Sequence, residues 1–440
     1  MNSLRHVCVQ KKFLKQINNE FSVLVRCLQT GKLQLSRYDF TKDEVSRYSP
    51  QLLCPGLGKK AQMNLKSSSV LIVGLGGLGS TAAQYLTSAG IGKLGLVDAQ
   101  KVRLNILQRQ VLHSEKSLGQ TKAHSAVERL KDLNSNVNFD PLEVFLTREN
   151  AMSIISKYDV VIDGTDNPMA KYLINDACVL LKKPMITGSV LRFDGYVTVF
   201  NFNEQSPCYR CALPQSMPAS MVPKVGDAGI FSPIAGMIGS IQAMEAMKIC
   251  AGIKPAYNGL ALTYSSLSGK FEHVEVEKRK DDCEACGANS TLTKKLIDYE
   301  KFCRFEPLQP IKILAPEERI TVQEYEKILN SHKKHILIDV RPQNQQDIVK
   351  LENAFSITLE EIVTGSGAES IQKLADKLIE TEPENDKHQI FVMCRRGVAS
   401  QRGVREIQKR LVNSENFEIK DIIGGIETWA KEIDKEMPIY

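Results

Sequence analysis

Short apolar runs rich in β-branched residues alternate with amphipathic stretches along most of the chain. In the first half, the run 69–73 precedes a glycine-rich turn, a helical pattern over 80–89 and a second apolar run over 93–98. This order predicts a βαβ unit of the nucleotide-binding type. The same reasoning predicts further strands at 159–163, 184–187 and 196–200, and further helices at 120–133, 167–181 and 236–251.

The pattern loosens after about residue 289, where Pro307, Pro310 and Pro316 interrupt regular structure and indicate a linker. A second α/β series follows, and its roughly 120 residues are enough for an independent small domain. Its predicted helices cover 322–330, 370–380 and 400–411, and its predicted strands cover 336–340, 389–393 and 421–423. The chain is therefore expected to be an α/β protein with two domains.

The composition agrees with this expectation. A chain of 440 residues is too long for one ordinary compact core. Its 42% hydrophobic and 25% charged residues are typical of globular proteins and exclude collagen-like or wholly disordered chains. The net charge of +6, from 57 basic and 51 acidic residues, is a mild excess that favours neither nucleic acid nor membrane as a direct partner.

The first 44 residues carry an apolar spacing, including Phe13, Ile17 and Phe21, that predicts an amphipathic helix. Its basic, acid-poor start is compatible with a mitochondrial presequence, but the few arginines favour a helical extension instead. No long apolar run precedes a cleavage site, so a secretory signal is not expected. The charge-free stretch 228–244 contains proline, serine and glycine, which favours a buried loop leading into a helix over a membrane span.

The glycine-rich turn is the first candidate binding element. It contains Gly74, Gly76, Gly77 and Gly79 between the first strand and its helix. Backbone N–H groups at such a turn approach phosphates closely. Asp98 ends the second strand, where a carboxylate accepts hydrogen bonds from ribose hydroxyls. At this point a dinucleotide-dependent oxidoreductase remains an alternative.

Charged residues farther along favour a nucleoside triphosphate. Arg109 lies in a loop, Lys122 opens a helix, and Asp166 follows a strand that ends beside the expected crevice. Arginine and lysine offset phosphate charge, and a carboxylate holds magnesium. We therefore predict a nucleoside triphosphate with Mg²⁺ at this crevice, although each basic residue taken singly is compatible with a solvated surface charge.

Four of the eleven cysteines form two Cys-x-x-Cys pairs. The first pair is Cys208 and Cys211, and the second pair is Cys283 and Cys286. The two pairs are separated by 71 residues. Four thiolates at this spacing predict one tetrahedral, structural zinc ion that clamps distant segments together. Coincidental buried thiols are the alternative, and either interpretation favours a reducing compartment.

Together these residues resemble the ubiquitin-activating-type adenylating enzymes over about residues 45–287. The stretches that carry the resemblance are 47–52, 74–79, 98, 107–110, 119–122, 165–168 and the four cysteines. The resemblance implies that ATP adenylates the C-terminal glycine of a ubiquitin-fold protein and releases pyrophosphate. It assigns adenosine to Gly77 and Asp98, phosphates to Arg109 and Lys122, and magnesium to Asp166. The remaining implied cofactor-binding residues are Asn105, Ile106, Leu107, Gln108 and Asn167.

The chain departs from this family at four positions. Gln100 stands where a second acid is usual, Ile106 replaces an asparagine, and Pro50 replaces an arginine that crosses the family's dimer interface. Val225 stands where two-domain members carry a cysteine proposed to form a thioester. These departures raise an alternative function, an adenylation-impaired paralogue that binds a carrier as a scaffold and keeps only the activity of its second domain.

In the second domain, Cys394 follows a predicted strand and opens a helix beside Arg395 and Arg396. The helix N-terminus and the two arginines favour its thiolate, and an inert buried cysteine is the alternative. A Cys-x5-Arg phosphatase needs arginine at position 400, where this chain has Ser400. The loop therefore favours a persulfide carrier.

Segments 339–342, 394–401 and 423–429 resemble a rhodanese domain in the same order, covering about residues 320–440. The resemblance implies that Cys394 accepts sulfane sulfur from a cysteine desulfurase and passes it on, with Arg341 supporting the loop.

The fusion of the two domains resembles the eukaryotic family of adenylyltransferases and sulfurtransferases that activate sulfur carriers. It implies a Rossmann-like adenylating domain with a zinc clamp, followed by a rhodanese domain, in a cytosolic homodimer. The implied carriers are the small subunit of molybdopterin synthase and a ubiquitin-related modifier, which serve molybdenum cofactor biosynthesis and tRNA wobble-uridine 2-thiolation. The expected segments are a helical extension at 1–44, the adenylating domain at 45–287, a linker at 288–319 and the rhodanese domain at 320–440.

Overall fold

A computed structural model of the chain describes residues 39–216, 228–292, 296–303, 313–382 and 387–440. The chain divides into two compact units, residues 1–305 and 306–440. The amphipathic helix expected within the first 38 residues and the position of Val225 lie outside the described residues. No helix among the described residues is both long and apolar enough to cross a membrane.

The first unit is built on an eight-stranded sheet with the order β3-β2-β1-β4-β5-β6-β7-β8. The strands are β1 Ser69–Val73, β2 Lys93–Val97, β3 Asn138–Leu142, β4 Val160–Asp163, β5 Met185–Leu191, β6 Asp194–Phe200, β7 Leu260–Ser265 and β8 Lys270–Glu275. Strands β1 to β5 pair in parallel, and β5 to β8 pair antiparallel. The parallel half therefore gathers the carboxyl ends of β1, β2 and β4 at one edge.

Helices cover both faces of this sheet. They are α1 Lys42–Leu53, α2 Gly58–Ser67, α3 Gly77–Ser88, α4 Lys122–Leu133, α5 Ala151–Ile155, α6 Pro168–Leu181, α7 Tyr209–Ala212, α8 Ser232–Ala251 and α9 Tyr299–Phe302. Alternate residues of β1 enter different cores: Val70 and Ile72 pack in one hydrophobic cluster, and Leu71 and Val73 in another. A strand buried on both faces needs this continuous apolar sequence, which explains why β1 was predictable.

The second unit has a five-stranded parallel sheet with the order β11-β10-β12-β13-β9. Its strands are β9 Arg319–Ile320, β10 Ile336–Asp339, β11 Ala354–Ser356, β12 His388–Met393 and β13 Phe417–Ile422. Its helices are α10 Val322–Asn330, α11 Gln343–Gln346, α12 Leu359–Thr364, α13 Ala368–Thr381, α14 Ala399–Arg410 and α15 Gly425–Glu432. Ile338 and Leu337 of β10 again face separate hydrophobic clusters.

The expected α/β architecture is confirmed, and the predicted elements differ from the observed ones mainly at their ends. Strands β3, β7, β8, β9 and β11 were not predicted from the sequence. The stretch 228–244 proves to be mainly helical, because α8 begins at Ser232 with proline in its first turn. Residues 299–302, which the sequence places in the linker, form α9. Tyr299 and Cys303 are buried in a hydrophobic cluster of the first unit. The sequence pattern did not indicate α1 or α2. In α1, Pro50 interrupts the helical pattern because it lies inside the helix.

Candidate functional site

A crevice of about 900 Å³ lies at the carboxyl ends of β1, β2 and β4. Ten residues assigned to nucleotide binding from the sequence line it: Gly74, Gly76, Gly77, Asp98, Asn105, Ile106, Arg109, Lys122, Asp166 and Asn167. They come from five separate parts of the chain, and the strand order brings them together. This is the edge at which open α/β sheets bind ligands.

Close packing explains the glycines at the floor of the crevice. Gly74 has φ +91°, and a Cβ there would lie 2.9 Å from the Gly164 carbonyl oxygen. A Cβ at Gly77 would lie 2.7 Å from the Cβ of Ala235. Side chains at these positions would push the turn away from its neighbours, so glycine keeps the backbone at the crevice accessible.

Asp98 is held by backbone groups. Its Oδ2 accepts from Leu75 N at 2.9 Å, and its Oδ1 accepts from Gln100 N at 2.8 Å. The carboxylate therefore ties the end of β2 to the glycine-rich turn, with its orientation set before any ligand arrives.

Lys122 is 4% exposed and opens α4. Its Nζ donates to Gln100 Oε1 at 2.8 Å and lies 3.6 Å from Asp98 Oδ2. Burial lowers the pKa of this ammonium, and the negative charge of Asp98 opposes that effect. A poorly hydrated cation at the crevice wall is suited to an anionic ligand.

Arg109 and Asp166 interact electrostatically across the crevice. Burial lowers the pKa of Arg109, and the charge of Asp166 raises it. Arg109 Nη1 donates to the Asn105 carbonyl at 3.2 Å, which anchors the guanidinium to its own loop. Asp166 is exposed, so its carboxylate is available to a cation from solvent.

Four other residues predicted to bind the nucleotide either have another structural role or lie outside the crevice lining. Asn167 lines the crevice, but its Oδ1 caps α6 by accepting from Ala170 N at 2.8 Å. Gly79, Leu107 and Gln108 are not among the lining residues. A Cβ at Gly79 would lie 2.0 Å from the Gly74 carbonyl oxygen, so this glycine lets the turn fold against α3.

A buried polar network behind Asp166 was not indicated by the sequence pattern. Lys171 Nζ donates to Asp163 Oδ2 at 2.7 Å and to Thr187 Oγ1 at 3.1 Å. Asp163 Oδ1 accepts from the N–H and hydroxyl of Thr165 at 3.0 and 2.6 Å. These bonds fix the segment that carries Asp166. No periodic signal distinguished Lys171 from a solvated helix charge.

Two further segments of the crevice wall were also missed from the sequence. Residues 144–149 follow β3, and residues 298–300 surround the start of α9. Residues 144–149 follow the carboxyl end of a parallel strand, so a prediction of β3 from the sequence would have indicated this segment. The second carried no local signal, because its position depends on packing with α6.

The four paired cysteines form a single cluster. All are buried, and their Sγ atoms lie within 4.8 Å of one another. Three Sγ–Sγ separations are 3.8, 3.6 and 3.4 Å. Sulfurs about 2.3 Å from a tetrahedral zinc ion lie about 3.8 Å apart, so the donor set and its spacing suit zinc.

Buried charges anchor this cluster to α6. Arg210, between the first two cysteines, donates two 2.8 Å hydrogen bonds to the Asp176 carboxylate. Tyr299 donates to the same carboxylate at 2.8 Å, and Tyr209 N donates to Asn175 Oδ1 at 2.8 Å. Asp176 thus joins α6 to α7 and α9 beside the cysteine cluster, and the role of the cluster as a zinc clamp stays a prediction.

Cys394 follows β12 and begins a loop that leads into α14. Its Sγ accepts from Gly397 N at 3.1 Å and lies 3.2 Å from Ser400 Oγ. Gly397 has φ +72°, and a Cβ there would meet Gly424 N at 2.5 Å. Ile426 N donates to the Cys394 carbonyl at 2.9 Å, so the first turn of α15 holds the start of the loop.

Arg341 is linked to the Cys394 loop by indirect contacts. It is 2% exposed and forms an ion pair with Asp339. Its Nη1 donates to the Tyr440 hydroxyl at 2.7 Å. The Tyr440 ring lies 4.7 Å from the Arg395 guanidinium, next to Cys394. Arg341 therefore reaches the loop through Tyr440, and its support of the loop stays a prediction.

Comparison with known proteins explains why these sites occur in one chain. The ThiF family model matches residues 48–285, and the rhodanese-like domain model matches residues 321–432. The chain belongs to the ThiF family. Its second unit contains a rhodanese-like domain.

Curated relatives have the same two-domain extent. The chain is 38% identical to the adenylyltransferase and sulfurtransferase MOCS3 of Culex quinquefasciatus, over 97% of both chains. It is 41% identical to MOCS3 of Sus scrofa, over 91% of this chain and 88% of that one. A solved structure of E. coli MccB is more distant, with 18% identity, coverage of 57% of this chain and 84% of that one, and a TM-score of 0.48.

Proposed function

We propose that this protein adenylates the C-terminal glycine of a ubiquitin-fold sulfur carrier and then transfers sulfur to it as a thiocarboxylate. The observation that carries the proposal is the convergence of Arg109, Lys122 and Asp166 at one crevice. Relatives matching nearly the whole chain are named for the same two activities, adenylyl transfer and sulfur transfer.

In the adenylation step, the carrier carboxylate attacks the α-phosphorus of ATP and pyrophosphate leaves. Backbone N–H groups of the glycine-rich turn approach the phosphates, and Asp98 accepts from ribose hydroxyls. Arg109 and Lys122 offset the phosphate charge, which increases in the transition state. Asp166 would hold Mg²⁺, which supplies further charge neutralisation of the phosphates.

The buried network behind Asp166 supports this step by orientation. Lys171 and Thr187 fix one oxygen of Asp163, and Thr165 binds the other. The Thr165 backbone is thereby held, and Asp166 follows it directly. A carboxylate on a restrained loop loses little conformational freedom when it binds a cation.

Cys208, Cys211, Cys283 and Cys286 would hold one zinc ion with a closed tetrahedral shell. A site with four protein ligands leaves no position for substrate, so its role is structural. Bound zinc would hold α7 to the 283–286 turn, whose Gly287 N donates to the Cys283 carbonyl at 2.9 Å.

In the sulfur-transfer step, Cys394 carries the sulfur as a persulfide. The persulfide attacks the carrier's acyl-adenylate, AMP leaves, and an acyl disulfide joins the carrier to Cys394. Reduction of that S–S bond by a thiol releases the thiocarboxylate. The Gly397 N–H, which already donates to the Cys394 sulfur, stabilises negative charge there.

The proposed partners follow from the same assignment. A cysteine desulfurase supplies the sulfur, and the carriers are the molybdopterin-synthase small subunit and a ubiquitin-related modifier. The products serve molybdenum cofactor biosynthesis and 2-thiolation of tRNA wobble uridine, without direct binding of nucleic acid by this chain. We further propose a cytosolic homodimer, in which Pro50 removes one of the family's cross-interface arginine contacts.

The test is ATP–pyrophosphate exchange with a ubiquitin-fold carrier ending in Gly-Gly. Carrier-dependent exchange should be lost in Asp166→Ala and retained in Asp132→Ala, which removes an exposed acid of α4 outside the crevice. Absence of exchange in wild-type protein that still binds the carrier would overturn the adenylation step and favour a scaffold.

A further inference from the structure

The sulfur of Cys394 belongs to a buried hydrogen-bond chain that continues beyond its own loop. Ser400 Oγ lies 3.2 Å from Cys394 Sγ and 3.2 Å from Asp421 Oδ2. Ser400 and Asp421 are both fully buried. Ser400 is at the start of α14, whereas Asp421 is on β13, so the sheet and helix together create this contact.

Asp421 is also paired with a cation. Arg319 Nε donates to Asp421 Oδ1 at 2.7 Å, and Arg319 Nη2 donates to Oδ2 at 3.0 Å. Burial raises the pKa of Asp421, and the Arg319 and Ser400 bonds oppose this. A carboxylate bound by both arms of an arginine is an acceptor only, and therefore takes the Ser400 hydrogen.

A serine hydroxyl has one hydrogen, and here two groups can accept it. When Cys394 is a thiol, its S–H donates to Ser400 Oγ, and Ser400 O–H donates to Asp421. When Cys394 loses its proton to solvent, the hydroxyl can rotate and donate to the thiolate. Asp421 then keeps its two bonds from Arg319.

We propose that Ser400 is a positioning residue whose single hydroxyl hydrogen is shared between Asp421 and the sulfur of Cys394. This sharing sets how readily Cys394 reaches the thiolate form, with Asp421 opposing that form and Ser400 supporting it. The inference deepens the proposed sulfurtransferase function and rests on Cys394 being its reactive group.

The other charges near Cys394 are the same in every variant needed for the test. Arg395 and Arg396 follow Cys394 in its loop, and Glu427 of α15 lies 2.9 Å from Arg396 Nε. On the adjacent β10, Asp339 is paired with Arg341. Arg319 also donates to the Gly397 carbonyl at 3.2 Å, and so touches the loop independently of Asp421.

The experiment measures iodoacetamide alkylation of Cys394 as a function of pH in the full-length protein, with the Cys394 peptide quantified by mass spectrometry. Ser400→Ala removes a donor to the thiolate and should move the alkylation midpoint up by about one pH unit. Asp421→Asn removes the competing charge and should move it down. In the Ser400→Ala background, the shift caused by Asp421→Asn should shrink.

Ser370→Ala, an exposed serine of α13, is the matched control and should leave the midpoint unchanged. An unchanged midpoint in folded Ser400→Ala would overturn the inference, as would an equal Asp421→Asn shift with and without Ser400. If Asp421→Asn does not fold, Ser400→Ala alone decides the question.

Alkylation needs no sulfur donor, which separates this inference from the proposed function. Sulfur transfer from thiosulfate to cyanide is measured on the same wild-type protein. In that reaction the Cys394 thiolate attacks the outer sulfur, sulfite leaves with the bonding pair, and cyanide then takes the sulfur as thiocyanate. Absence of both thiosulfate-dependent and desulfurase-dependent transfer, with the Ser400 shift intact, would overturn the function and leave the inference standing.

Discussion

Lys122 Nζ and Gln100 Oε1 are 2.8 Å apart, at the wall of the crevice where β2 ends. A neutral amide, rather than a second carboxylate, thus provides the nearest side-chain oxygen to this ammonium. Because Gln100 carries no charge, it leaves the positive charge of Lys122 available to an anionic ligand. Lys122 Nζ lies 3.6 Å from Asp98 Oδ2, so the ion pair of Lys122 with Asp98 is weaker than one in direct hydrogen-bond contact.

The first prediction concerns this lysine. Lys122→Ala removes a charge-assisted contact to phosphate, worth about 1.5–3 kcal/mol, and should lower kcat/KM for ATP in pyrophosphate exchange by about 10- to 100-fold. Lys131→Ala, an exposed lysine in the last turn of the same helix, should leave it unchanged. An effect of equal size from both variants would mean that general surface charge, not a contact in the crevice, is responsible.

The second prediction concerns the buried ion pair of Lys171 and Asp163. Lys171→Met would leave the fully buried Asp163 without its cation and should lower the free energy of unfolding of the first unit by about 3–5 kcal/mol. Urea unfolding followed by circular dichroism measures this change.

Lys182→Met is the control, because that side chain is 85% exposed and ends the same helix α6. Lys171→Arg keeps the charge and should recover part of the loss. If Lys171→Met proved as stable as wild type, the ion pair of Lys171 and Asp163 would contribute nothing to the stability of the first unit.

The third prediction concerns metal content. Purified protein should contain about one zinc ion per chain, as expected for a four-cysteine site. Cys283→Ser should lower the content below half an equivalent and lower Tm, since one ligand of the closed site is lost. Cys54→Ser, which changes an exposed cysteine outside the cluster, should alter neither quantity. Less than half an equivalent in the wild type would rule out the zinc assignment.

The fourth prediction concerns the pH dependence of stability. Burial lowers the pKa of His113 from 6.5 to about 4, and its Nδ1 lies 3.0 Å from Ser125 Oγ. The unfolded chain therefore binds a proton at a higher pH than the folded chain does. The contribution of neutral His113 to the free energy of unfolding is fully present above pH 6.5. It is lost as the pH falls towards 4, and the total loss is about 3 kcal/mol.

Urea midpoints at pH 7.5 and pH 5 test this dependence. His113→Gln should remove part of the loss between the two values. His124→Gln, at an exposed histidine of α4, should retain all of it. An identical loss in the wild type and in His113→Gln would show that other groups cause the pH dependence.

Local sequence was sufficient where an element carries its own boundary signals. Helix α10 has the predicted limits because Thr321 and Glu324 form a capping box at its start. Strand β1 was predictable because both its faces are buried and its residues are continuously apolar. Glycine-rich turns and Cys-x-x-Cys pairs also have fixed short spacings. These spacings indicated the glycine-rich turn of the crevice and the four-cysteine cluster, and the strand-to-helix position of Cys394 indicated its loop.

Contacts between distant segments needed the folded chain. Ser400 and Asp421 are 21 positions apart, and Lys171 and Thr187 are 16 apart, so no helical or strand period links them. Each pair meets only because a particular strand lies beside a particular helix. The residues predicted to perform chemistry can therefore be found from short motifs. The residues that orient them depend on strand order and packing, which arise from the burial of many distant side chains at once.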